Sequence, residues 1–218
     1  MKEVVNLLSD IKNLLQEGID ILSRSERTQE TSATAAEMDK KKSPSVSLVD
    51  IGMALVDIGM AMLGWDEDDH REQLMTEFEA NNITDPSGNT LDPSVWAWCA
   101  GLFDLLLSKA GLKKVGSLAA KDFWDPTKKI EKPYRGCGAS WKNHIAIFVG
   151  YASKAKLSQL PTPFKVESLG QWQMVECGED DPDAIAMVLG GNQSDMVNIS
   201  PIYFFNQYSK FNGYFDIA

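Results

Sequence analysis

A cysteine heads an apolar helix in the stretch Trp96-Ala97-Trp98-Cys99-Ala100-Gly101-Leu102-Phe103-Asp104-Leu105-Leu106-Leu107, and that pairing restricts the folds open to the chain. Leu102, Phe103, Leu106 and Leu107 fall on one helical face, and Gly111 behind Lys109 supplies the stop. A sulfur in the first turn sits at the positive end of the helix macrodipole, beside N–H groups that have no partner inside the helix. Such a position is expected to favour thiolate over thiol and to offer donors to an oxyanion. Cys99 is the candidate nucleophile.

A nucleophilic cysteine needs a base, and the chain has only two histidines, His70 and His144. His144 opens Asn143-His144-Ile145-Ala146-Ile147-Phe148-Val149-Gly150, a β-branched apolar run that reads as a buried strand with the imidazole at its entry. A second short strand, Ala186-Met187-Val188-Leu189, runs into Gly190-Gly191-Asn192-Gln193, so a polar side chain can emerge beside a histidine on a neighbouring strand. Helix-borne Cys, strand-borne His and a polar orienter, in that chain order, make a papain-like arrangement.

These stretches, with Asp92-Pro93, Ala110-Gly111-Leu112, Gly116-Ser117-Leu118-Ala119-Ala120 and Val197, resemble the CHAP-type (cysteine, histidine-dependent amidohydrolase/peptidase) cell-wall hydrolases of phages and prophages. The resemblance covers residues 48 to 218. It implies Cys99 as nucleophile, His144 as general base and Asn192 as the residue that orients the imidazole, with Trp98, Trp141, Gly191 and Gln193 about the substrate. It implies no cofactor and no metal. The substrate it implies is a peptidoglycan amide, either the muramoyl–alanine bond or a bond in the stem or cross-bridge peptide.

Composition narrows the alternatives. A net charge of -10 leaves nothing to neutralise nucleic-acid phosphates efficiently and disfavours an anionic membrane surface, while 44% hydrophobic residues suffice for a packed core. Three cysteines, at 99, 137 and 177, do not suggest a disulfide scaffold. The first residues lack an uninterrupted apolar core, because Asp10, Lys12 and Glu17 interrupt it, and no small-residue cleavage site follows. The expectation is synthesis in a host cytoplasm without a signal peptide, for action on the cell wall, either free or from a virion.

Val4, Leu8, Ile11, Leu15 and Leu22 recur at helical steps, so residues 1–24 read as an amphipathic docking or oligomerisation helix. Residues 25–46, rich in Ser, Thr, Glu and Lys, read as a solvated linker, and 47–218 as the catalytic domain. Partners expected for residues 1–24 are phage structural proteins or a second copy of the chain.

Two identical heptads follow, Leu48-Val49-Asp50-Ile51-Gly52-Met53-Ala54 and Leu55-Val56-Asp57-Ile58-Gly59-Met60-Ala61. They predict a core helix with Asp50 and Asp57 on one face, Ile51, Leu55, Ile58 and Met62 stacked on another, and close contacts at Gly52, Ala54, Gly59 and Ala61. Two aspartates and a length of about 17 residues argue against a membrane span. Asp66-Glu67-Asp68-Asp69-His70 reads as a cap for a helix over Arg71–Ala80, with calcium binding as the alternative.

Asn81 to Pro93 is turn chemistry, expected to wall the space above Cys99. Leu118–Phe123 reads as a short helix and the basic stretch from Asp125 to Trp141 as irregular. Strands are expected at 143–151, 171–177, 184–189, 195–200 and 212–216, with Tyr203-Phe204-Phe205 and Tyr208 covering one edge. The expected fold is α+β and papain-like/CHAP-like, with N-terminal helices packed on an antiparallel sheet. Two other functions stay open: a non-hydrolytic virion structural or adaptor protein, prompted by residues 136–143, and a cysteine acyltransferase or deamidase acting on protein.

Overall fold

The structure, a computed structural model, describes residues 47–162 and 164–217. The expected helix over 1–24 and linker over 25–46 lie outside the described residues.

Helix α1 spans Leu48–Met60. Its start is fixed by a reciprocal cap: the Ser47 hydroxyl accepts the Asp50 N–H at 3.1 Å, and the Asp50 carboxylate accepts the Ser47 N–H at 3.3 Å. The duplicated heptads bury Gly52, Leu55, Val56 and Gly59 and leave both aspartates exposed. A Cβ on Gly52 would lie 2.5 Å from the Arg135 carbonyl oxygen, and one on Gly59 would lie 2.7 Å from Leu189. The repeated glycine therefore lets the helix backbone approach its neighbours closely. Ala54 and Ala61, expected in those contacts, face solvent. The helix stops short of the expected length because the chain turns at Gly64, which has φ +84° and donates its N–H to the Val197 carbonyl at 2.9 Å.

Helix α2 spans Arg71–Ala80, as the sequence predicts, but no side chain caps it. The Asp66 carboxylate instead accepts the N–H groups of Asp68 and Asp69 at 2.9 and 2.6 Å, closing the turn before the helix. Arg71 pairs with Asp92 and so ties α2 to the loop that leads to Cys99.

Helix α3, Cys99–Lys109, is buried on every side from Cys99 to Leu107, which makes it the central helix of the domain. Gly111 ends it with φ +74°. Its one buried charge, Asp104, accepts the N–H groups of Val115 and Gly116 at 2.8 and 2.7 Å, fastening the following loop. Ala120–Phe123 then forms a single 3-10 turn where a short helix was expected.

The sheet contains β1 (Lys129–Ile130), β2 (Gly138–Trp141), β3 (Ile145–Ser153), β4 (Glu176–Cys177), β5 (Ala184–Gly190), β6 (Asn198–Pro201) and β7 (Phe211–Phe215). The strand order is β1-β7-β2-β3-β5-β6, with β4 on the outer part of β3, and every pair is antiparallel. Three short helices interleave with the strands: α4 (Lys154–Leu157), α5 (Leu169–Val175) and α6 (Ile202–Asn206). The fold is thus α+β, with its longer helices ahead of an antiparallel sheet. Among the described residues no helix is long and apolar enough to cross a membrane.

Two expectations fail for identifiable reasons. The segment expected as strand 171–177 is mostly helix α5, because Ser168 caps the Gln171 N–H and Trp172 and Val175 are buried at a helical spacing of three. The stretch expected to be irregular contains β2, whose four residues are all buried although none is β-branched. Gly138 is needed there because the Phe215 ring occupies the space its side chain would take.

The sheet has two buried faces. Ile145, Ile147 and Val149 of β3 join the main core with α3, whereas Ala146 joins Ala139, Trp141, Val188 and Phe205 on the other face, beneath α6.

Candidate active site

Cys99 occupies the first turn of α3, where the chain leaves the loop that Asp92 anchors. The residue is 5% exposed, and its thiol lies against the N–H of Ile145, the first residue of β3, and the N–H groups of Ala100 and of Cys99 itself. Burial pushes the thiol above its ordinary pKa, and those three N–H groups oppose the rise without cancelling it. The expectation of a thiolate favoured by the helix terminus is therefore corrected: the thiol form is favoured, because desolvation outweighs the N–H groups at the head of the helix.

His144 is the residue immediately before Ile145. Its ring stacks on Phe205 at a centroid distance of 4.3 Å and tilts against Trp141 at 5.7 Å, so it belongs to the aromatic face of the sheet. Burial lowers its pKa to about 3, which leaves the imidazole neutral. Thiol and imidazole thus flank the start of β3 from its two faces, and among the described residues no hydrogen bond joins them.

Behind the imidazole runs a buried polar chain. An amide atom of Gln193 lies 3.3 Å from Nε2 of His144. With its oxygen turned that way, Gln193 also accepts the Gly190 N–H at 2.9 Å, while its NH2 group donates to the Asn198 side-chain oxygen at 2.8 Å and the Ser200 hydroxyl at 3.2 Å. That orientation pairs donor with acceptor at every contact. It requires the imidazole to carry its proton on Nε2 and leaves Nδ1 with a free lone pair. The Asn198 amide in turn donates to the Gln193 carbonyl, and the Ser200 hydroxyl donates to Asn198 at 2.7 Å. Gln193, Asn198 and Ser200 are all buried, so the network holds one arrangement.

Gln193 belongs to the turn between β5 and β6, which carries three non-glycine residues in left-handed conformation: Asn192 at φ 54°, Ser194 at 57° and Asp195 at 62°. Such backbone persists where surroundings over-determine it, and it clusters at functional sites. A cavity of about 330 Å³ opens here, bounded by His144, Asn192, Gln193, Phe205 and Tyr208 among others. A larger cavity of about 560 Å³ lies elsewhere, over Phe103, Phe123 and Phe215, and touches neither Cys99 nor His144.

The sequence-derived residues separate into two groups. Cys99, His144 and Gln193, from three distant parts of the chain, converge at the start of β3. Asn192, expected to orient the imidazole, is half-buried at the cavity, and the hydrogen bond to the ring comes from its neighbour Gln193. Trp98 and Trp141 are fully buried: the first donates to Glu67 at 3.1 Å, the second to Asn206 at 2.9 Å, and neither lines the cavity. Gly191 is buried against Trp98 and Leu102, where a Cβ would come within 2.6 Å of the indole.

Phe205 and Tyr208 were expected only as edge cover, yet Phe205 stacks on the histidine and Tyr208 lines the cavity beside it, a role no sequence pattern signals. The basic stretch 125–141 has ion-pair partners of its own, since Arg135 pairs with Glu176 at 3.0 Å and Lys132 with Glu179 at 3.1 Å. Among the described residues no cluster of His, Cys, Asp and Glu could hold a metal ion. No family model, no curated protein and no solved structure matches the chain.

Proposed function

We propose that the chain is a cysteine amidohydrolase of the CHAP, papain-like kind that cuts an amide bond of peptidoglycan. The observation that carries this reading is that a helix-head thiol lies against the Ile145 N–H while the preceding residue, His144, presents a buried neutral imidazole whose tautomer a polar network fixes.

In this reading His144 Nδ1 takes the Cys99 proton in the substrate complex, a step that requires the imidazole or the head of α3 to move, since the two groups start on opposite faces of β3. The sulfur attacks the amide carbonyl, forming the S–C bond, and the oxyanion is met by the N–H groups at the head of α3. The imidazolium returns the proton to the leaving nitrogen as the C–N bond breaks. Water, deprotonated by the same imidazole, then splits the thioester into carboxylic acid and thiol. Gln193 accepts from Nε2–H throughout, orienting the ring and stabilising the imidazolium.

A second reading is a non-hydrolytic adaptor on the same scaffold. It is favoured by the approach of thiol and imidazole from opposite faces of β3 without a hydrogen bond between them. Incubation with purified peptidoglycan, followed by mass spectrometry of the released fragments, decides between the two. Release by the wild-type chain and none by Cys99→Ser supports the hydrolase; no release by either removes it.

A further inference from the structure

We propose that Glu67 is a positioning residue: with its carboxylate and its own N–H it ties the head of α3, which carries Cys99, to the β5–β6 turn, which carries Gln193. The inference rests on the hydrolase reading, since it assigns a role within that reaction.

In the acidic run Asp66-Glu67-Asp68-Asp69 the first carboxylate closes a turn, and the second reaches further. The backbone from Gly64 to Glu67 lies antiparallel to Asp195, Met196 and Val197 at the end of the β5–β6 turn. Gly64 N–H donates to the Val197 carbonyl at 2.9 Å, Val197 N–H to the Trp65 carbonyl at 2.8 Å, and Glu67 N–H to the Asp195 carbonyl at 3.0 Å. On the other side the Glu67 carboxylate accepts the Nε1–H of Trp98 at 3.1 Å. Trp98 is the residue before Cys99 and is fully buried. Four residues beyond Glu67, Arg71 Nε donates to Asp92 at 2.9 Å, in the loop that delivers the chain to Trp98. One segment thus grips both arms of the site.

The indole of Trp98 is the wedge between those arms. Gly191 packs on it so closely that an added Cβ would lie 2.6 Å from the ring, and Gly191 is two residues from Gln193. The turn is therefore held on both sides of Gln193, by the indole at Gly191 and by the Glu67 backbone at Asp195. A buried indole has a single donor, and an acceptor for it fixes the plane of the ring; a carboxylate makes that bond a charge-assisted one. Without Glu67 the buried N–H is left unpaired and the ring is drawn towards any other acceptor. Such a rotation displaces Cys99 through the chain and Gln193 through Gly191, so thiol and imidazole lose their common reference. Two groups that start on opposite faces of β3 depend on that reference, because a misplacement of about 1 Å is enough to lower a rate by as much as ~10²-fold.

The test compares Glu67→Ala and Glu67→Gln in the full-length chain on solubilised peptidoglycan. Labelling of Cys99 by iodoacetamide, read by peptide mapping, supplies a measurement that needs no turnover. Glu67→Ala is expected to lower kcat about tenfold with KM unchanged, and Glu67→Gln, whose amide oxygen still accepts the indole N–H, to recover most of it. Trp98→Phe, which keeps a ring and removes the donor, is expected to match Glu67→Ala, and the double variant to fall no further than either. An unchanged kcat in Glu67→Ala, an equal loss in Glu67→Gln, a change confined to KM, or fully additive losses in the double variant would each overturn the assignment. A lowered urea midpoint with kcat intact would do the same, since it marks a bond that serves stability alone. If the wild-type chain hydrolyses nothing, the hydrolase reading falls, and the tie between the two arms is judged by labelling. A Cys99 rate changed about threefold or more by Glu67→Ala and returned by Glu67→Gln supports it, and equal rates in all three chains refute it.

Discussion

Gln193 meets Nε2 of His144 at 3.3 Å from the turn between two strands, and it is itself held at both ends of its amide by Gly190, Asn198 and Ser200. An orienter so fixed selects the tautomer with a basic Nδ1. Gln193→Ala is therefore expected to lower kcat at least about tenfold, below the ~10²–10⁴ contributed by a general base itself, with little change in KM. Asn192→Ala, which leaves that bond intact, is expected to act on KM. Steady-state kinetics on solubilised peptidoglycan check both; a kcat loss confined to Asn192→Ala would return the orienting role to that residue.

The three cysteines differ enough in surroundings to be told apart by substitution. Cys137 is fully buried, its thiol is pushed up to about 12, and its chain lies behind β3 beside Tyr134. Cys177 sits half-buried on the outlying strand β4. Cys99→Ser is expected to abolish hydrolysis while circular dichroism stays unchanged, and Cys137→Ser and Cys177→Ser to keep most of it. Turnover by the Cys99→Ser chain comparable to wild type would remove the cysteine mechanism.

Burial of His144 also makes stability depend on pH. Its folded pKa of about 3 lies below the ordinary 6.5, so between those values the unfolded chain binds one more proton than the native chain. Stability then rises with pH across that window by up to ~1.4 kcal/mol per unit: the contribution is complete above 6.5 and lost as the pH falls towards 3. Asp104 works in the opposite sense, since burial raises its pKa and the native chain keeps that proton longer. The clean observable is the difference between wild type and His144→Gln in urea titrations from pH 7 to pH 4. The gap is expected to shift steadily in favour of the variant as the pH falls, and a constant gap would show that the imidazole is hydrated in the folded state.

Much of this arrangement is legible from local pattern. The helix over Cys99–Lys109 and its stop at Gly111, the helix over Arg71–Ala80, the strand that begins just after His144 and the strand containing Val188 all follow from spacing and turn residues. What escapes is tertiary in origin. Strand β2 is made a strand by the neighbours that pair with it, since Gly138-Ala139-Ser140-Trp141 has little intrinsic preference for one. The choice of Gln193 over Asn192 belongs to a turn with left-handed φ at Asn192, Ser194 and Asp195, and no periodicity encodes that. The state of the thiol depends on how deeply the fold buries it where the head of α3 meets the start of β3, a quantity with no local signature.

The duplicated heptads allow a test in which sequence and context are set against each other. Gly52 and Gly59 occupy the same position in identical repeats, yet their surroundings differ. An added Cβ at Gly52 meets backbone, 2.5 Å from the Arg135 oxygen and 3.2 Å from the Gly136 Cα, and Gly136 is itself fixed at φ +94°. An added Cβ at Gly59 meets only the end of the Leu189 side chain, at 2.7 Å, and a side-chain terminus, even a buried one, yields more readily than backbone. Gly52→Ala is therefore expected to destabilise by ~1–3 kcal/mol, more than the roughly 1 kcal/mol that alanine recovers through helix propensity. Gly59→Ala should cost distinctly less. Gly170→Ala, in α5 with nothing within 4 Å, isolates the propensity gain and is expected to stabilise by ~0.5–1 kcal/mol. Urea unfolding midpoints at constant slope give the ordering Gly170→Ala, Gly59→Ala, Gly52→Ala from most to least stable. Equal midpoints for the two heptad variants would mean that α1 does not press its backbone against residues 135–136.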